Sequence, residues 1–386
     1  MDRKLKMGMV GGGPGAFIGD VHRKAACFDG GVEIVSGCFS RDEEKSGATA
    51  AELFLADGRC FSDYRRMVED EAGRDADSRI DFVSIVTPND SHFEIARAFL
   101  EAGFHVVLDK PMTFDLEQAL ELRKLVRGGD RVFALTHNYT GYPMVKLARE
   151  LARGGKLGNI RKIVVQYPQS WLARRLEGEG SRQASWRTDP ARSGAAGCMG
   201  DIGTHAENLA EYVTGLRIEE LCADLNAFVS GRRLDDDGNC LVHFSGGARG
   251  LLFASQISMG ELNGLRLNVY GEEAGLFWRQ ENPNELKVYD PDGSFRTFRP
   301  GTPSIGALSP AAAAATRLPF GHPEGFYEAF ANIYRGATEA IRASIEGRKP
   351  AADALDFPTV DDGVRGMAFI QAVVASEGKW IRFPEC

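Results

Sequence analysis

Lys110 stands where a buried segment ends and a polar one begins. Residues 106–108, Val-Val-Leu, predict a short parallel strand, and Asp109, Lys110 and Pro111 follow it directly. In an open parallel sheet, ligands bind at the carboxyl ends of the strands, and a proline there fixes the direction of the chain. Lys110 therefore lies where chemistry is done in such a fold and is a candidate functional residue. The alternative is a solvated surface lysine.

A second candidate pair, Asp201 and His205, follows a glycine-rich loop over residues 194–200. A separation of four residues places the two side chains on one face of a helix. A carboxylate and an imidazole so placed can act as an oriented acid–base pair, because imidazole titrates near neutral pH. The same spacing could serve a metal ion, but no third ligand stands nearby in the sequence, and we predict no metal.

The first predicted strand runs straight into a glycine-rich loop over residues 11–19. Glycines at a strand-to-helix turn let the backbone approach a pyrophosphate, whose charge then faces the N-terminus of the helix. Gly11 and Gly13 fit the first two glycines of the dinucleotide-binding fingerprint. Neither Gly15 nor Gly19 has the spacing of the third, so we expect a longer loop than the standard one. The residues predicted to contact the cofactor here are Gly11, Gly13, Phe17 and Ile18.

The second predicted strand ends at Ser40 and Arg41, which we also expect to lie at the cofactor. In a typical NAD site, an acid at this strand end binds the ribose hydroxyls of the adenosine. Here the acids begin only at Asp42. A serine and an arginine suit a 2′-phosphate and favour NADP, whereas an arginine that stacks on the adenine is compatible with NAD.

Three further groups extend the candidate site. His92 lies in the first turn of a helix that begins at the edge of the sheet, so we predict a cofactor contact for it, with a structural histidine as the alternative. Tyr139 follows a strand end and points toward the same crevice. Trp186 and Arg187 can bind substrate hydroxyls through an aromatic face and a guanidinium fork, unless they are a core tryptophan and a surface arginine.

Composition and element order indicate two domains. The chain has 386 residues, of which 43% are hydrophobic and 26% charged, enough for two cores. Strands and helices alternate over residues 1–140, which predicts an α/β Rossmann dinucleotide-binding domain. Over residues 141–386 the strands are joined mostly by turns, which predicts an α+β domain with an open, mainly antiparallel sheet that binds substrate and supports oligomerisation.

Charge and cysteine usage restrict the partners and the location. A net charge of −8 argues against nucleic acid and anionic membranes as partners. The seven cysteines are dispersed and form no Cys-x-x-Cys pair, and the N-terminus lacks a signal-peptide pattern, so we expect a cytoplasmic protein. Helices cover only one face of an open antiparallel sheet, so we expect a homo-oligomer, either a homodimer or a homotetramer.

The motifs, in this order and spacing, resemble those of the Gfo/Idh/MocA family of sugar and polyol oxidoreductases over nearly the whole chain. The likeness is carried by Thr-Pro-Asn-x-x-His at 87–92, Gly-x-His-Val-x-x-Asp-Lys-Pro at 103–111 and Gly-Asp-Ile-Gly-Thr-His at 200–205. The stretches that are most similar to the branch of levoglucosan, scyllo-inositol and L-glucose dehydrogenases are 138–143, 186–190 and 321–325.

The resemblance implies a catalytic set formed by Lys110, Asp201 and His205. It also implies cofactor contacts by Thr87, Pro88, Asn89, Asp109 and Lys110, and substrate contacts by Tyr139, Trp186, Arg187, Asp201, His205 and His322. Two features depart from the family pattern: Asp109 stands where a glutamate is usual, and the phosphate-binding loop is longer. Because dehydrogenases of that branch use NAD, we expect NAD as the cofactor, with NADP as the alternative.

The sequence thus predicts an NAD(P)-dependent dehydrogenase that oxidises a secondary hydroxyl of a cyclic polyol or sugar. His205 would take the hydroxyl proton, Lys110 would stabilise the alkoxide, and Asp201 would orient the substrate or the imidazole. Lys110 and His205 come from different predicted domains and are expected to meet at the nicotinamide. The alternatives are an NAD-dependent glycosidase that acts by transient oxidation and a sugar-sensing regulator without catalysis.

Overall fold

The computed structural model describes residues 3–386, the side chain of Asp353 excepted. The chain forms two compact units. The first contains the residues up to Asn138 and the segment Phe326–Val364, and the second contains Tyr139–Gly325 and Arg365–Cys386. These units differ from the predicted division, 1–140 and 141–386, in the segment Phe326–Val364.

The strands are β1 (Leu5–Gly11), β2 (Val32–Cys38), β3 (Phe82–Val86), β4 (His105–Leu108), β5 (Phe133–Leu135), β6 (Ile160–Pro168), β7 (Ile218–Asn226), β8 (Asp237–Phe244), β9 (Arg249–Ser255), β10 (Arg266–Gly271), β11 (Gly275–Arg279), β12 (Leu286–Tyr289), β13 (Phe295–Phe298) and β14 (Ile381–Arg382). The α-helices are α1 (Phe17–Cys27), α2 (Glu43–Glu52), α3 (Tyr64–Ala72), α4 (His92–Glu101), α5 (Leu116–Arg127), α6 (Pro143–Arg153), α7 (Arg182–Arg187), α8 (Pro190–Ser193), α9 (Thr204–Thr214), α10 (Pro303–Leu308), α11 (Pro310–Ala314), α12 (Phe326–Ile345) and α13 (Val360–Ser376). A π-helical turn (Met199–Gly203) precedes α9.

The first unit is built on a parallel sheet with the strand order β2-β1-β3-β4-β5. Its strands are short runs of apolar residues, and β3 and β4 are buried along their whole length, as expected for a sheet covered on both faces. The chain runs outward in one direction from β1 to β2 and in the other from β3 to β5. Ligands of such sheets bind outside the carboxyl ends of the strands, next to this reversal.

Helix α12 belongs to the first unit because its apolar face completes the core there. Its residues Phe330, Ile333 and Ala337 are at most 2% exposed and share a hydrophobic cluster with Val21 of α1 and Met9 of β1. The segment Phe326–Val364 therefore returns to the first unit, before the chain ends in the second. The sequence pattern alone left this packing undecided, because an amphipathic helix shows that one face is buried but not against which partner.

The second unit contains a nine-stranded sheet with the order β13-β12-β11-β10-β6-β9-β8-β7-β14. All neighbouring strands are antiparallel except β6 and β9, which are parallel. Helices α6 and α9 pack against one face of this sheet. The predicted fold class, a Rossmann domain followed by an open and mainly antiparallel sheet domain, is confirmed. Among the described helices, none is long and apolar enough to span a lipid bilayer.

Candidate active site

The loop after β1 has the shape that the glycine pattern predicts. Gly11 and Gly12 have φ values of +89° and +74°, in the left-handed region that favours glycine. Gly13 approaches the end of β2 so closely that a Cβ atom on it would lie 2.7 Å from the carbonyl oxygen of Phe39. The backbone of this loop is therefore free of side chains on the side where the first two strands end.

Gly19 of α1 takes the place of the third glycine of the fingerprint. A Cβ atom on Gly19 would lie only 2.3 Å from the Cα atom of Gly12, so the helix can pack on the loop only without a side chain here. Arg23, one turn further along α1, donates a hydrogen bond of 2.7 Å to the carbonyl oxygen of Gly12. The loop is longer than the standard one, as expected from the sequence, but the close packing of helix on loop is retained. This cradle fits a dinucleotide pyrophosphate.

Substituting Gly13 by alanine tests the cradle. We expect Gly13→Ala to weaken NAD binding at least tenfold, measured by calorimetric titration, because the added methyl group forces the loop away from Phe39. Gly47→Ala is the matched control, since a Cβ atom on this helical glycine meets nothing within 4 Å. Equal NAD affinity in both variants would contradict the assignment of this loop.

The other two residues predicted in this loop lie at the start of α1. Phe17 is 65% exposed and Ile18 is half-buried against the hydrophobic core. At the end of β2, Ser40 is half-buried and Arg41 is exposed. The nearby carboxylate of Asp42 caps α2 by accepting a hydrogen bond from the backbone N–H of Lys45. The cofactor contacts of these four residues stay predictions.

His92 contacts two loops of the first unit. Its ring is fully buried, and its Nδ1 and Nε2 atoms lie 2.8 Å and 2.7 Å from the carbonyl oxygens of Pro111 and Thr87. Pro88 is half-buried and Asn89 is buried in the same turn. Both nitrogens of His92 face backbone carbonyls, so the ring has a structural contact on each side, and its predicted cofactor contact stays a prediction. The ring holds the loop after β3 against the loop after β4, which carries Lys110.

Asp109 and Lys110 stand at the carboxyl end of β4, and the peptide bond between Lys110 and Pro111 is cis. Asp109 Oδ1 accepts hydrogen bonds from the backbone N–H of Lys110 and from Thr136 Oγ1, each at 2.9 Å. Burial favours a raised pKa for Asp109, but the facing His22 ring and the positive charge of Lys110 outweigh it and lower this pKa well below its usual range. The carboxylate is therefore ionised at neutral pH, and its Oδ1 atom is hydrogen-bonded to groups of the first unit.

In the second unit, a π-helical turn carries Asp201 where the sequence predicted an ordinary helix. The turn is tied down by Asp235, whose carboxylate accepts hydrogen bonds from the backbone N–H groups of Gly197 at 2.6 Å and Met199 at 2.8 Å. A Cβ atom on Gly197 would lie 2.1 Å from the Asp235 carbonyl oxygen, which explains a glycine at this point of the loop. Such turns are frequent at functional sites because they displace side chains from the regular helical positions.

Asp201 and Arg187 form an ion pair at 3.2 Å. The same carboxylate oxygen accepts a 2.9 Å hydrogen bond from Gln256, which follows β9. The Arg187 guanidinium also lies over the ring of Trp186, 4.2 Å from its centroid. The structure thus brings Asp201 together with Trp186 and Arg187, which were predicted as a pair elsewhere in the sequence.

His205 packs in a cluster of aromatic and amide side chains. Its ring lies edge to face with Tyr139, with 4.7 Å between the centroids. The Tyr139 and Tyr167 hydroxyls are hydrogen-bonded to each other, and Tyr167 donates to Asn263 Oδ1 at 2.7 Å. Burial raises the pKa of both tyrosines, so their hydroxyls stay neutral. Neutral hydroxyl and amide groups around an imidazole suit a ligand that is rich in hydroxyl groups.

His322, the remaining predicted substrate residue, is exposed on the chain segment between α11 and α12, and its Nδ1 atom lies 3.2 Å from the carbonyl oxygen of Pro319. The structure gives it no partner among the predicted site residues of the second unit. Within residues 3–386, no group of three or more His, Cys, Asp or Glu side chains could hold a metal ion.

Sequence reasoning missed several residues of the site. Thr136, which binds Asp109, follows a strand end and could have been found by the rule that identified Lys110. Asp235 lies in a short acidic run, residues 235–237, that matches none of the motifs described above. Gln256 and Asn263 gave no signal, because an amide side chain on a loop has no motif of its own.

Two family models match the chain in the order of its two units. Residues 5–137 match an oxidoreductase family with an NAD-binding Rossmann fold, and residues 145–277 match the GFO/IDH/MocA C-terminal domain. The fold and these matches define an NAD-binding oxidoreductase. The chain belongs to the Gfo/Idh/MocA family, as its motifs indicated.

Several relatives and solved structures are similar over nearly their full length. A levoglucosan dehydrogenase of Pseudarthrobacter phenanthrenivorans is 26% identical, covering 99% of each chain. An inositol dehydrogenase homologue of Azotobacter vinelandii, solved with NAD⁺, is 34% identical with a TM-score of 0.93, covering 99% of this chain and 98% of that one. The same homologue solved with NADH and myo-inositol is 33% identical with a TM-score of 0.90, at the same coverage.

Proposed function

We propose that the protein is a dehydrogenase that oxidises one secondary hydroxyl of a cyclic polyol or sugar to a ketone. Two arrangements carry the proposal: the His205 imidazole lies against neutral tyrosine side chains, and the Asp201 carboxylate is held by Arg187 and Gln256. Relatives that act on levoglucosan and a structural neighbour that holds myo-inositol support this substrate class. NAD, when bound at the glycine-rich loop, supplies the hydride acceptor.

Each residue has a separate task in the reaction that we propose. His205 accepts the hydroxyl proton as the carbinol carbon loses its hydride, so the alcohol becomes a ketone and one proton is released. The Lys110 ammonium stabilises the negative charge that develops on the oxygen. Asp201, held by Arg187 and Gln256, orients the substrate.

The assay that tests the proposal measures the reduction of NAD and NADP in the presence of myo-inositol, scyllo-inositol, levoglucosan and common aldoses. We expect net formation of reduced cofactor with at least one cyclic polyol or anhydrosugar, and with NAD in preference to NADP. A glycosidase that oxidises transiently would instead release an aglycone from a glycoside without net NADH. A sugar-sensing regulator would bind polyols without either product.

We also propose that the second unit assembles into a homo-oligomer through the outer face of its sheet. This face carries exposed apolar side chains, including Leu241, Tyr270 and Phe295, which are 48%, 48% and 56% exposed. Helices α6 and α9 cover the opposite face. Exposed apolar side chains that recur over one face of a sheet are typical of a surface between subunits.

Sedimentation velocity at micromolar concentration tests the assembly. We expect a dimer or larger species, and dissociation when Leu241 and Tyr270 are both replaced by glutamate, because two buried charges would face each other across the symmetric contact. The control is Phe54→Glu, which changes an equally apolar residue that is 93% exposed in the first unit. A wild-type monomer at this concentration would contradict the proposal.

A further inference from the structure

A buried chain of polar side chains in the first unit ends at Asp109. His22 of α1, Ser84 of β3 and Tyr334 of α12 are at most 1% exposed. The Tyr334 hydroxyl oxygen lies 2.8 Å from Ser84 Oγ and 2.8 Å from His22 Nδ1. On the other side of the imidazole, Nε2 lies 3.7 Å from Asp109 Oδ1, an electrostatic contact rather than a formed hydrogen bond. This series of side-chain contacts therefore ends at the carboxylate of Asp109, the residue that precedes Lys110.

The contacts of this chain are compatible with one order of protons. Nε2 of His22 faces a carboxylate oxygen, which can only accept, so a proton on Nε2 points toward Asp109. With the ring proton on Nε2 alone, Nδ1 accepts from the Tyr334 hydroxyl, and the Ser84 hydroxyl donates to the Tyr334 oxygen. Burial raises the pKa of Tyr334, so the phenol keeps its proton. Every donor therefore points toward Asp109, and successive hydrogen bonds polarise one another.

Asp109 Oδ1 is consequently approached from three sides, by the Lys110 backbone N–H, by Thr136 Oγ1 and by the His22 ring. We propose that His22, supported by Tyr334 and Ser84, is a positioning residue that fixes Asp109 and, through it, the direction of Lys110. The inference rests on the proposed function, because it takes Lys110 as the catalytic ammonium.

Two substitutions remove the supporting hydroxyls and leave the packing in place. We expect Tyr334→Phe and Ser84→Ala each to lower kcat about fivefold, because small displacements of a catalytic group reduce the rate strongly. The KM for the polyol and the affinity for NAD should stay within twofold of wild type. The matched controls are Tyr327→Phe on the same helix and Ser36→Ala, a buried serine of β2 whose hydroxyl has no hydrogen-bond partner among the described residues. An equal loss of kcat in the controls would overturn the proposal.

A double-mutant cycle separates positioning from a general structural effect. If the hydroxyl of Tyr334 acts through Lys110, Tyr334→Phe should have no further effect on kcat in a Lys110→Met background, because the group that it positions is gone. A merely structural role predicts the same fivefold loss in both backgrounds. Additive losses would therefore overturn the proposal.

A readout without turnover keeps this inference distinct from the proposed function. Acetylation of Lys110 by acetic anhydride, followed by peptide mass spectrometry with the exposed Lys124 as internal reference, reports the environment of the Lys110 amine. We expect Tyr334→Phe to change the Lys110 rate at least twofold and Tyr327→Phe to leave it unchanged. If wild type oxidises no polyol tested, the proposed function has failed, whereas an unchanged Lys110 rate in Tyr334→Phe overturns the positioning role.

Discussion

Lys110→Met is expected to lower kcat by about 10² or more, because a preorganised positive donor at the developing alkoxide is worth about 10²–10³ in rate. Methionine is close to lysine in length and removes only the charge and its hydrogen bonds. The interaction is made chiefly in the transition state, so the affinity for NAD should change little. Steady-state kinetics on the best polyol of the panel and calorimetric titration of NAD measure the two quantities.

The control for this substitution is Lys124→Met, which removes an exposed ammonium in the last turn of α5. It should retain wild-type turnover. A Lys110→Met variant with near wild-type kcat would remove Lys110 from the mechanism. A variant that loses NAD affinity and turnover together would assign it a binding role instead.

His205→Asn is expected to lower kcat by about 10²–10⁴, the usual contribution of a positioned general base. Asparagine keeps a polar side chain against Tyr139 but cannot accept a proton. Because a histidine base works only when it is unprotonated, wild-type kcat/KM should fall as the pH is lowered through the range in which imidazole gains a proton. The variant should show no such acidic limb.

The pH–rate profiles of wild type and His205→Asn, measured on the same substrate, test this assignment. Retention of the acidic limb in the variant would show that another group is the base. Equal melting temperatures would show that the loss of rate is not a loss of fold, which matters because His205 is only 6% exposed.

The parts of this structure that could be predicted from sequence depend on local patterns. The strand before Asp109 and Lys110 is an apolar run that ends abruptly, and a parallel sheet brings such strand ends to one edge. The glycines of the first loop are required by backbone geometry within a few residues of the chain. The apolar strand and the glycine loop were sufficient to predict the fold class. They also predicted which edge of the first unit carries the candidate cofactor site.

The parts that could not be predicted depend on contacts between distant residues. His22 is fixed by Tyr334, which lies 312 residues further along the chain, and no short-range pattern connects them. Asp235 caps a turn that precedes it by more than thirty residues. The π-helical turn was missed because it differs from an α-helix only by a shift in its hydrogen bonds. The spacing of Asp201 and His205 predicts a helix but does not distinguish these two kinds.

The most direct test of the central claim follows the hydrogen atom itself. Myo-inositol, levoglucosan and glucose, each carrying deuterium on the ring carbons, are incubated with the protein and NAD, and the reduced cofactor is analysed by mass spectrometry. The account predicts singly deuterated NADH together with a ketone derived from at least one of these substrates. Absence of NADH with all three, or NADH that carries no deuterium, would contradict the transfer of a hydride from a secondary carbinol to the nicotinamide.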